Sequence, residues 1–265
     1  MPGKQDRTKA ARMQFEIVQE EYQKEVSRSV RYAQVFDESL FNREEQWEEI
    51  QPSLSDTQMS VFEGSPDMAL ESEAVGKSII LDFASFLRPG GSFLSGGEGQ
   101  EEDLCHVSTL YNVLNFCGNY FEKNKELKNH GMYANRAIIV PEIVFTKSGK
   151  TSDVVACSAP NLNAFTQYVY NAGENPNMDI ESFNEKILQH RISFLRRVIE
   201  LGEYNSNDTI ILGAWGCGKY GQKVKKIAQY LTTYFHKSSA QKIIFAIPEE
   251  DQYYIETFKS AIENF

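Results

Sequence analysis

A glycine-rich stretch with an acidic end decides the fold of this chain: Arg88-Pro89-Gly90-Gly91-Ser92-Phe93-Leu94-Ser95-Gly96-Gly97-Glu98-Gly99-Gln100-Glu101-Glu102-Asp103-Leu104. An apolar run at 78–84 precedes it and predicts a buried strand. Residues 100–116 at its end show the pattern of a helix. The order of strand, glycine-rich loop and helix is typical of α/β proteins that bind a ligand where the strand ends.

The composition of this loop suits a phosphorylated ligand. The glycines at 90, 91, 96, 97 and 99 lack a Cβ, so backbone N–H groups can approach a ligand closely. Beside a helix N-terminus, such a loop favours a diphosphate. Glu101 and Glu102 would repel phosphate, so they indicate an acid that acts beside the ligand, as in a glycosidase. An ordinary acidic helix start is the alternative interpretation.

Composition and charge exclude several classes of protein. The 265 residues carry a net charge of −10 and a pI near 5.0, which argues against a nucleic-acid partner because phosphate neutralisation needs clustered Lys and Arg. With no run of transmembrane length and no secretory leader, we expect a cytoplasmic protein, or one delivered into another cell. The four cysteines form no zinc-binding spacing, so we predict free thiols, no metal and no cofactor.

Strand and helix patterns alternate along the chain. Apolar runs predict strands at 58–62, 78–84, 137–145 (interrupted by Pro141), 153–157, 209–212 and 242–247. Helical patterns cover 11–31, 66–75, 100–116, 180–202 (capped by Asp179) and the segments after 221 and 251. We expect residues 1–12 to be disordered, 33–56 to be short helices or irregular, and 117–135 to form a loop or lid. The alternation predicts an α/β sandwich with helices on both faces of the sheet.

A second glycine-rich loop follows the predicted strand at 209–212: Gly213-Ala214-Trp215-Gly216-Cys217-Gly218-Lys219-Tyr220-Gly221. Its first seven residues match the start of a P-loop, Gly-x-x-x-x-Gly-Lys. The match ends at Tyr220, because a P-loop has Ser or Thr there to bind magnesium. A P-loop nucleotide binder is therefore the weaker interpretation. Two loops that each follow a strand predict one cleft with two walls.

The two loops together resemble the signature of microbial poly(ADP-ribose) glycohydrolases, a branch of the macrodomains. The resemblance is carried by Pro89-Gly90-Gly91, Gln100-Glu101-Glu102 and the Gly-Ala-Trp-Gly-Cys-Gly run at 213–218. A third segment, Ser158-Ala159-Pro160-Asn161, resembles a family segment near the site. The resemblance covers residues 10 to 250, approximately. It implies a macrodomain-like three-layer α/β/α sandwich, with 13–265 as a single domain that includes an N-terminal helical extension at 13–56.

The resemblance implies an ADP-ribosyl glycohydrolase that acts on ADP-ribosylated protein and releases ADP-ribose. In the family the second glutamate of the motif is the general acid and the first positions ribose hydroxyls, which implies these roles for Glu102 and Glu101. Neighbours on a helix diverge by about 100°, so the two do not form the facing carboxylate pair of ordinary glycosidases. The residues implied to bind ADP-ribose are Asp82, Gly90, Gly91, Ser92, Gln100, Asn161, Gly213, Gly216, Cys217, Gly218, Lys219 and Tyr220.

Two positions depart from the family pattern. Ser92 replaces the third glycine of the motif and adds a side chain near the ribose. Asp82 stands where the family usually has Asn, and an ionised Asp cannot donate a hydrogen bond. Both departures suit an enzyme that removes single ADP-ribose units, for example from arginine, rather than one that degrades the polymer.

A non-catalytic reader that binds ADP-ribose is the main alternative. The presence of both Glu101 and Glu102 argues against it, because a reader does not need the acid. Cys217 is a candidate nucleophile, but none of the four histidines stands in a partner motif. We therefore interpret Cys217 as a small residue in a tight loop and Trp215 as packed core.

Overall fold

The computed structural model describes residues 3–42, 57–173, 178–201 and 207–265. Within these ranges seven strands form one sheet. The strands are β1 (Gln34–Asp37), β2 (Gln58–Glu63), β3 (Ser78–Asp82), β4 (Arg136–Val144), β5 (Thr151–Cys157), β6 (Thr209–Leu212) and β7 (Lys242–Ile247). Their order across the sheet is β1-β4-β5-β3-β6-β7-β2.

Helices connect and cover these strands. They are α1 (Lys4–Glu21), α2 (Gln23–Arg31), α3 (Pro66–Ser72), α4 (Gln100–Val107), α5 (Leu110–Phe116), α6 (Gly118–Glu126), α7 (Leu162–Ala172), α8 (Ile180–Leu201), α9 (Val224–Phe235) and α10 (Gln252–Glu263). Short 3₁₀ turns lie at Glu38–Asn42, Phe93–Ser95 and Asn129–Gly131. In the described ranges, every helix is too short or too polar to span a lipid bilayer.

The central strand β3 and its neighbours β5 and β6 place three loops at one edge of the sheet. β3 is parallel to both neighbours, and β7 and β2 continue the parallel part. β4 and β1 are antiparallel and complete the other side of the sheet. Because β3, β5 and β6 run in the same direction, the segments after their carboxyl ends meet at one edge of the sheet, where ligands bind in open α/β sheets.

Helices cover both faces of the sheet. Along β3 the side chains alternate, so Ile79 and Leu81 enter one core and Ile80 enters the other. The first core includes apolar residues of α8, α9 and α10, and the second includes those of α1, α4 and α5. Burial on both faces explains why β3 is apolar along most of its length. The predicted three-layer α/β/α sandwich is confirmed.

Three predictions for the N-terminal half are wrong. Residues 4–12 are helical rather than disordered. They belong to α1, whose Ala11 is buried in the second core although most of the residues before it in the sequence are polar. The predicted helix at 100–116 is two helices, divided where Ser108 forms an extended bridge with Phe145. The predicted loop at 117–135 contains α6, whose Phe121 enters the same core.

Neither β1 nor α7 was predicted from the sequence. The predicted short or irregular segment at 33–56 contains β1 and a 3₁₀ turn, and its residues 43–56 lie outside the described ranges. Two local predictions are confirmed. The register of β4 with β5 shifts between Val140 and Ile143, around Pro141, and Asp179 accepts a hydrogen bond from the Ser182 N–H at the start of α8 (3.0 Å).

A buried arginine ties α8 to the segments behind the carboxyl edge of the sheet. Arg191 is 1% exposed, and no carboxylate is among the groups that accept its hydrogen bonds in the described structure. The acceptors are the Asn135 side chain and the carbonyls of Met132, Tyr133 and Ser158. One side chain thus holds the segment before β4 and the segment after β5 in a fixed relation.

We predict that Arg191→Met lowers the free energy of unfolding by about 3 kcal/mol, because it leaves several buried acceptors without a donor. Lys186→Met, at an exposed position of the same helix, is the matched control and should change this free energy by less than about 0.5 kcal/mol. Urea denaturation of the three proteins measures the difference. Equal stability of the two variants would contradict the assigned role of Arg191.

Candidate active site

Two loops at the carboxyl edge of the sheet face each other across a cavity of about 600 Å³. The wall after β3 carries Gly91, Ser92, Gln100, Glu101 and Glu102. The wall after β6 carries Gly216, Gly218, Lys219 and Tyr220. The fold therefore brings together residues that lie more than a hundred positions apart in the sequence.

Gln100 joins the start of α4 to the end of β3. Its side-chain Oε1 accepts a hydrogen bond from the Phe83 N–H (2.8 Å), and its Nε2 donates to the Leu81 carbonyl (2.8 Å). Both backbone groups belong to residues that flank Asp82. A side chain with both a donor and an acceptor is required for this double contact. The first turn of α4 is therefore held directly over the end of the central strand.

The two glutamates that follow are buried in the same wall. Glu101 is 3% exposed and its Oε2 accepts a hydrogen bond from the Ser85 N–H (2.7 Å). Glu102 is 8% exposed and its Oε1 accepts one from the Ser92 N–H (2.9 Å). Backbone donors thus orient each carboxyl group from the loop itself. The arrangement presents two oriented acids to one cavity.

Glycine is required where the loop passes these acids. Gly91 has φ +57°, and a Cβ built there would lie 2.7 Å from Glu102 Oε1 and 2.9 Å from Glu101 Oε2. A Cβ on Gly97 would lie 2.9 Å from Glu102 Oε1, and one on Gly99 would lie 2.8 Å from Glu102 Oε2. The glycines therefore make room for the carboxyl groups of Glu101 and Glu102.

Asp82 lies behind this wall and does not line the cavity. Its side chain is fully buried, and neither carboxyl oxygen has a hydrogen-bond partner among the described residues. Burial, reinforced by the charge of Glu102, raises the pKa of Asp82 well above its ordinary value. Burial, with a smaller contribution from Asp82, likewise raises the pKa of Glu101. An ionised Asp82 would have no hydrogen-bond donor, whereas this environment favours the neutral acid, which retains one.

Hydrogen bonds and ring packing hold the second wall against neighbouring segments. Lys219 Nζ donates to the Glu98 carbonyl (2.7 Å), a contact that joins the two glycine-rich loops. Trp215 Nε1 donates to the Cys157 carbonyl (3.0 Å), and its ring is fully buried, as predicted, although it also lines the cavity. Tyr220 packs against Tyr133, with ring centroids 6.1 Å apart.

The P-loop alternative does not agree with this geometry. In a P-loop the helix follows directly after the lysine, so that its N-terminus faces the phosphates. Here α9 begins only at Val224, and Lys219 binds the Glu98 carbonyl instead. Cys217 is buried, and burial raises its pKa to about 12, which suppresses the thiolate that a nucleophile needs. The interpretation of Cys217 as a structural residue agrees with this burial.

The remaining candidate residues lie behind the walls rather than in them. A Cβ on Gly90 would lie 2.5 Å from the Tyr111 ring, and one on Gly213 would lie 2.6 Å from the Ala246 carbonyl. Asn161 caps α7, where its Oδ1 accepts a hydrogen bond from the Ala164 N–H (2.9 Å). Gly90, Gly213 and Asn161 therefore shape the loops at this edge of the sheet. In the described residues, no group of three His, Cys, Asp or Glu side chains is arranged to hold a metal ion.

Several lining residues were missed by the sequence analysis. They are Phe83, Ser85, Leu87, Arg88, Glu98, Gly99 and Ala159. Most lie within or next to the quoted motifs, so proximity along the chain was the available signal. Nothing in the sequence indicated that α1 contacts this wall. Arg7 of α1 donates a hydrogen bond from Nε to the Gly96 carbonyl (3.1 Å) and forms an ion pair with Glu98 (2.6 Å). The N-terminal helix thus supports the first wall.

Comparisons with known proteins agree with this geometry. The model of the family described as microbial-type PARG, catalytic domain, matches residues 6–148. The poly(ADP-ribose) glycohydrolase (PARG) of Thermomonospora curvata has a similar structure, with TM-score 0.77, 20% identity, and coverage of 98% of this chain and 99% of that one. The structure of the PARG of Deinococcus radiodurans in complex with ADP-ribose has TM-score 0.74 and 22% identity, and the match covers 91% of this chain and 98% of that one. At such identities these structures show the fold alone. Among curated proteins, none matches this chain.

We predict that Gly91→Ala lowers the free energy of unfolding by about 2 kcal/mol, because an alanine at φ +57° is strained and its Cβ meets two carboxyl groups. The matched control is Gly218→Ala in the opposite wall, where a Cβ meets no heavy atom within 4 Å. Urea denaturation compares the two variants with the wild type. Equal losses in both variants would show that Gly91 has no special steric role.

Proposed function

The chain belongs to the microbial-type PARG family, and we propose that it cleaves the ribosyl bond of ADP-ribosylated protein, with Glu102 as the general acid. The family match covers residues 6–148, which include the whole first wall of the cavity. Members of this family are glycosyl hydrolases that act on ADP-ribosyl linkages, and the chain is a hydrolase of this class. The substrate would be an ADP-ribosylated protein and the product ADP-ribose.

The observation that carries the proposal is the convergence of Glu101 and Glu102 on Gly91 in the cavity wall. Cleavage of a ribosyl bond develops positive charge at the anomeric carbon, and the leaving atom needs a proton. Glu102 Oε1 is occupied by the Ser92 N–H, which leaves Oε2 to transfer that proton. Glu101, fixed by the Ser85 N–H, would accept hydrogen bonds from ribose hydroxyls.

The opposite wall supplies the features that a diphosphate requires. Gly216 and Gly218 line the cavity, and a Cβ on Gly218 would meet open space. Backbone N–H groups in such a loop can therefore approach phosphate oxygens. Arg88 and Lys219 are the cations among the described lining residues, in a chain whose net charge is −10. Tyr220, beside them, would contact the ribose next to the scissile bond.

Ser92 is the departure that bears on the substrate. It lines the cavity, and its Cβ lies 2.6 Å from where a Cβ on Gly97 would be, so the side chain occupies space at the crowded end of the loop. We propose that this side chain restricts the substrates of the enzyme to single ADP-ribose units, including arginine-linked ones. Asp82, being buried behind the wall, would not contribute to this preference through a direct contact.

We predict that Glu102→Gln lowers the rate of ADP-ribose release at least about 100-fold, because the amide cannot donate the required proton. Glu71→Gln, which makes the same change at an exposed glutamate that does not line the cavity, is the matched control and should retain activity. Release is measured with a chelator present, and ADP-ribose affinity is measured by calorimetry. Affinity should persist in Glu102→Gln.

Two outcomes would contradict this assignment. Near-full activity of Glu102→Gln would remove Glu102 as the general acid. Binding of ADP-ribose by the wild type without release from either poly- or arginine-mono-modified protein would favour the reader instead.

We predict that Ser92→Gly raises the rate on poly(ADP-ribose), relative to the rate on arginine-linked mono-ADP-ribose, by about tenfold, because it removes the side chain that crowds the loop. Ser95→Gly is the matched control, since Ser95 lies in the same loop but does not line the cavity. Both substrates are assayed side by side for each protein. An unchanged ratio in Ser92→Gly would contradict a role of Ser92 in substrate choice.

A further inference from the structure

A second groove opens beside the cavity and is continuous with it. Its volume is about 570 Å³, and both Leu87 and Arg88 line this groove as well as the cavity. The other side of the groove is formed by α5, α6 and the segment that follows α6. We call it the basic groove, and the lining residues that determine its chemistry are Leu87, Arg88, Pro89, Phe121, Lys125 and Lys128.

The basic groove leaves the cavity beside the proposed acid. The Gly91 N–H donates to the Arg88 carbonyl (3.2 Å), so Arg88 belongs to the turn that carries Gly91 past the two glutamates. A Cβ on Gly91 would lie 2.7 Å from Glu102 Oε1. The described residues that line the basic groove come from this side of the cavity and not from the loop at 213–221, where the diphosphate would bind. The leaving group of the reaction, rather than the ADP moiety, therefore has access to the basic groove.

Positive charge distinguishes the basic groove from the chain as a whole. Arg88, Lys125 and Lys128 are exposed cations, whereas the chain has 37 acidic and 27 basic residues. Glu122 is the carboxylate among the described lining residues, and it pairs with Lys125 (2.6 Å). Arg88 and Lys128 form no ion pair within the described ranges. Both cations are thus available to an anionic partner, in a chain whose net charge repels anions.

The basic groove suits a polypeptide better than a nucleotide. Proteins hold a nucleotide base chiefly by stacking it on an exposed aromatic ring. Phe121 is the aromatic side chain among the described lining residues, and it is 2% exposed. Leu87 and Pro89 are half-buried and offer apolar contacts between the cations instead. The carboxylates of Asp and Glu side chains are complementary to such a surface.

We propose that the basic groove is a docking surface for the modified protein itself, and that it binds acidic residues next to the ADP-ribosylated side chain. This role rests on the proposed hydrolysis, because ADP-ribose must occupy the cavity for the neighbouring residues to reach the groove. The substrates are then proteins that carry Asp or Glu beside the modified residue. Exposed ion pairs each contribute little, so the expected preference is modest.

The first test compares two arginine-linked mono-ADP-ribosylated peptides that differ only in the residues flanking the arginine, which are Glu in one and Gln in the other. At low ionic strength the wild type should release ADP-ribose from the Glu peptide with a kcat/KM about fivefold higher, through a lower KM. The preference should decrease as salt is added, because exposed ion pairs are screened. Equal kcat/KM values for the two peptides would overturn the proposal.

Charge-removing variants assign this preference to the basic groove. Lys125→Gln combined with Lys128→Gln should reduce it to less than about twofold. The matched control is Lys123→Gln combined with Lys147→Gln, which removes the same charge at exposed positions outside the groove. Lys123 also loses a comparable ion pair, with Glu126 (2.6 Å). The control should keep the preference, and ADP-ribosyl-arginine, which has no flanking residues, should react equally fast with all three proteins. A preference that survives in the groove variant contradicts the proposal.

Poly(ADP-ribose) is the competing anionic partner. Its cleavage is measured with the same three proteins. Unchanged polymer cleavage together with a lost peptide preference in the groove variant is the expected result. If that variant instead slows polymer cleavage and keeps the peptide preference, the basic groove binds polymer and the proposal is wrong.

A binding measurement separates failure of this inference from failure of the proposed function. Calorimetry compares the affinity of Glu102→Gln for the two modified peptides, with and without the changes at Lys125 and Lys128. If the wild type releases no ADP-ribose, the hydrolysis proposal fails, but tighter binding of the Glu peptide that depends on both lysines still supports the docking surface. If the wild type is active and the two peptides bind and react equally well, only the docking surface is lost.

Discussion

The burial of three carboxyl groups at the end of one strand is the constraint on which this site depends. Asp82, Glu101 and Glu102 are each less than a tenth exposed, and each lies within the electrostatic influence of another. Water would solvate separate carboxylates far better, so the fold must offset this cost through hydrogen bonds and neutral forms. The backbone N–H groups of Ser85 and Ser92 provide such hydrogen bonds to Glu101 and Glu102. Gln100 fixes the backbone on both sides of Asp82.

The scaffold around the site is correspondingly rigid. β3 is buried on both faces between two apolar cores, so the point where it ends is fixed. Arg191 secures the segments before β4 and after β5, and Arg7 secures the first glycine loop from α1. Loops that must be rich in glycine lose more backbone entropy on folding, and such contacts from rigid elements help to offset that loss.

Much of this arrangement was predictable from local patterns. Apolar runs predicted the strands at the centre of the sheet. Both glycine-rich loops and the pair Glu101 and Glu102 were identified from the sequence. The predictions failed where burial depends on distant partners. Residues 4–12 look polar and disordered, yet Arg7 binds Gly96, far along the chain. The predicted single helix at 100–116 breaks at Ser108 because Phe145, on a separate segment, pairs with it.

The sequence by itself determined the layer architecture, the two loops and the candidate acids, because hydrophobic period, glycine content and residue chemistry are local properties. Only the tertiary structure decided which candidates reach the cavity. It brought Glu102 and Tyr220 to one cleft, left Asn161 as a helix cap, and buried Asp82 behind the wall. It also decided the charge state that Asp82 favours, because burial in the folded chain, together with the charge of Glu102, raises the pKa of this carboxyl group.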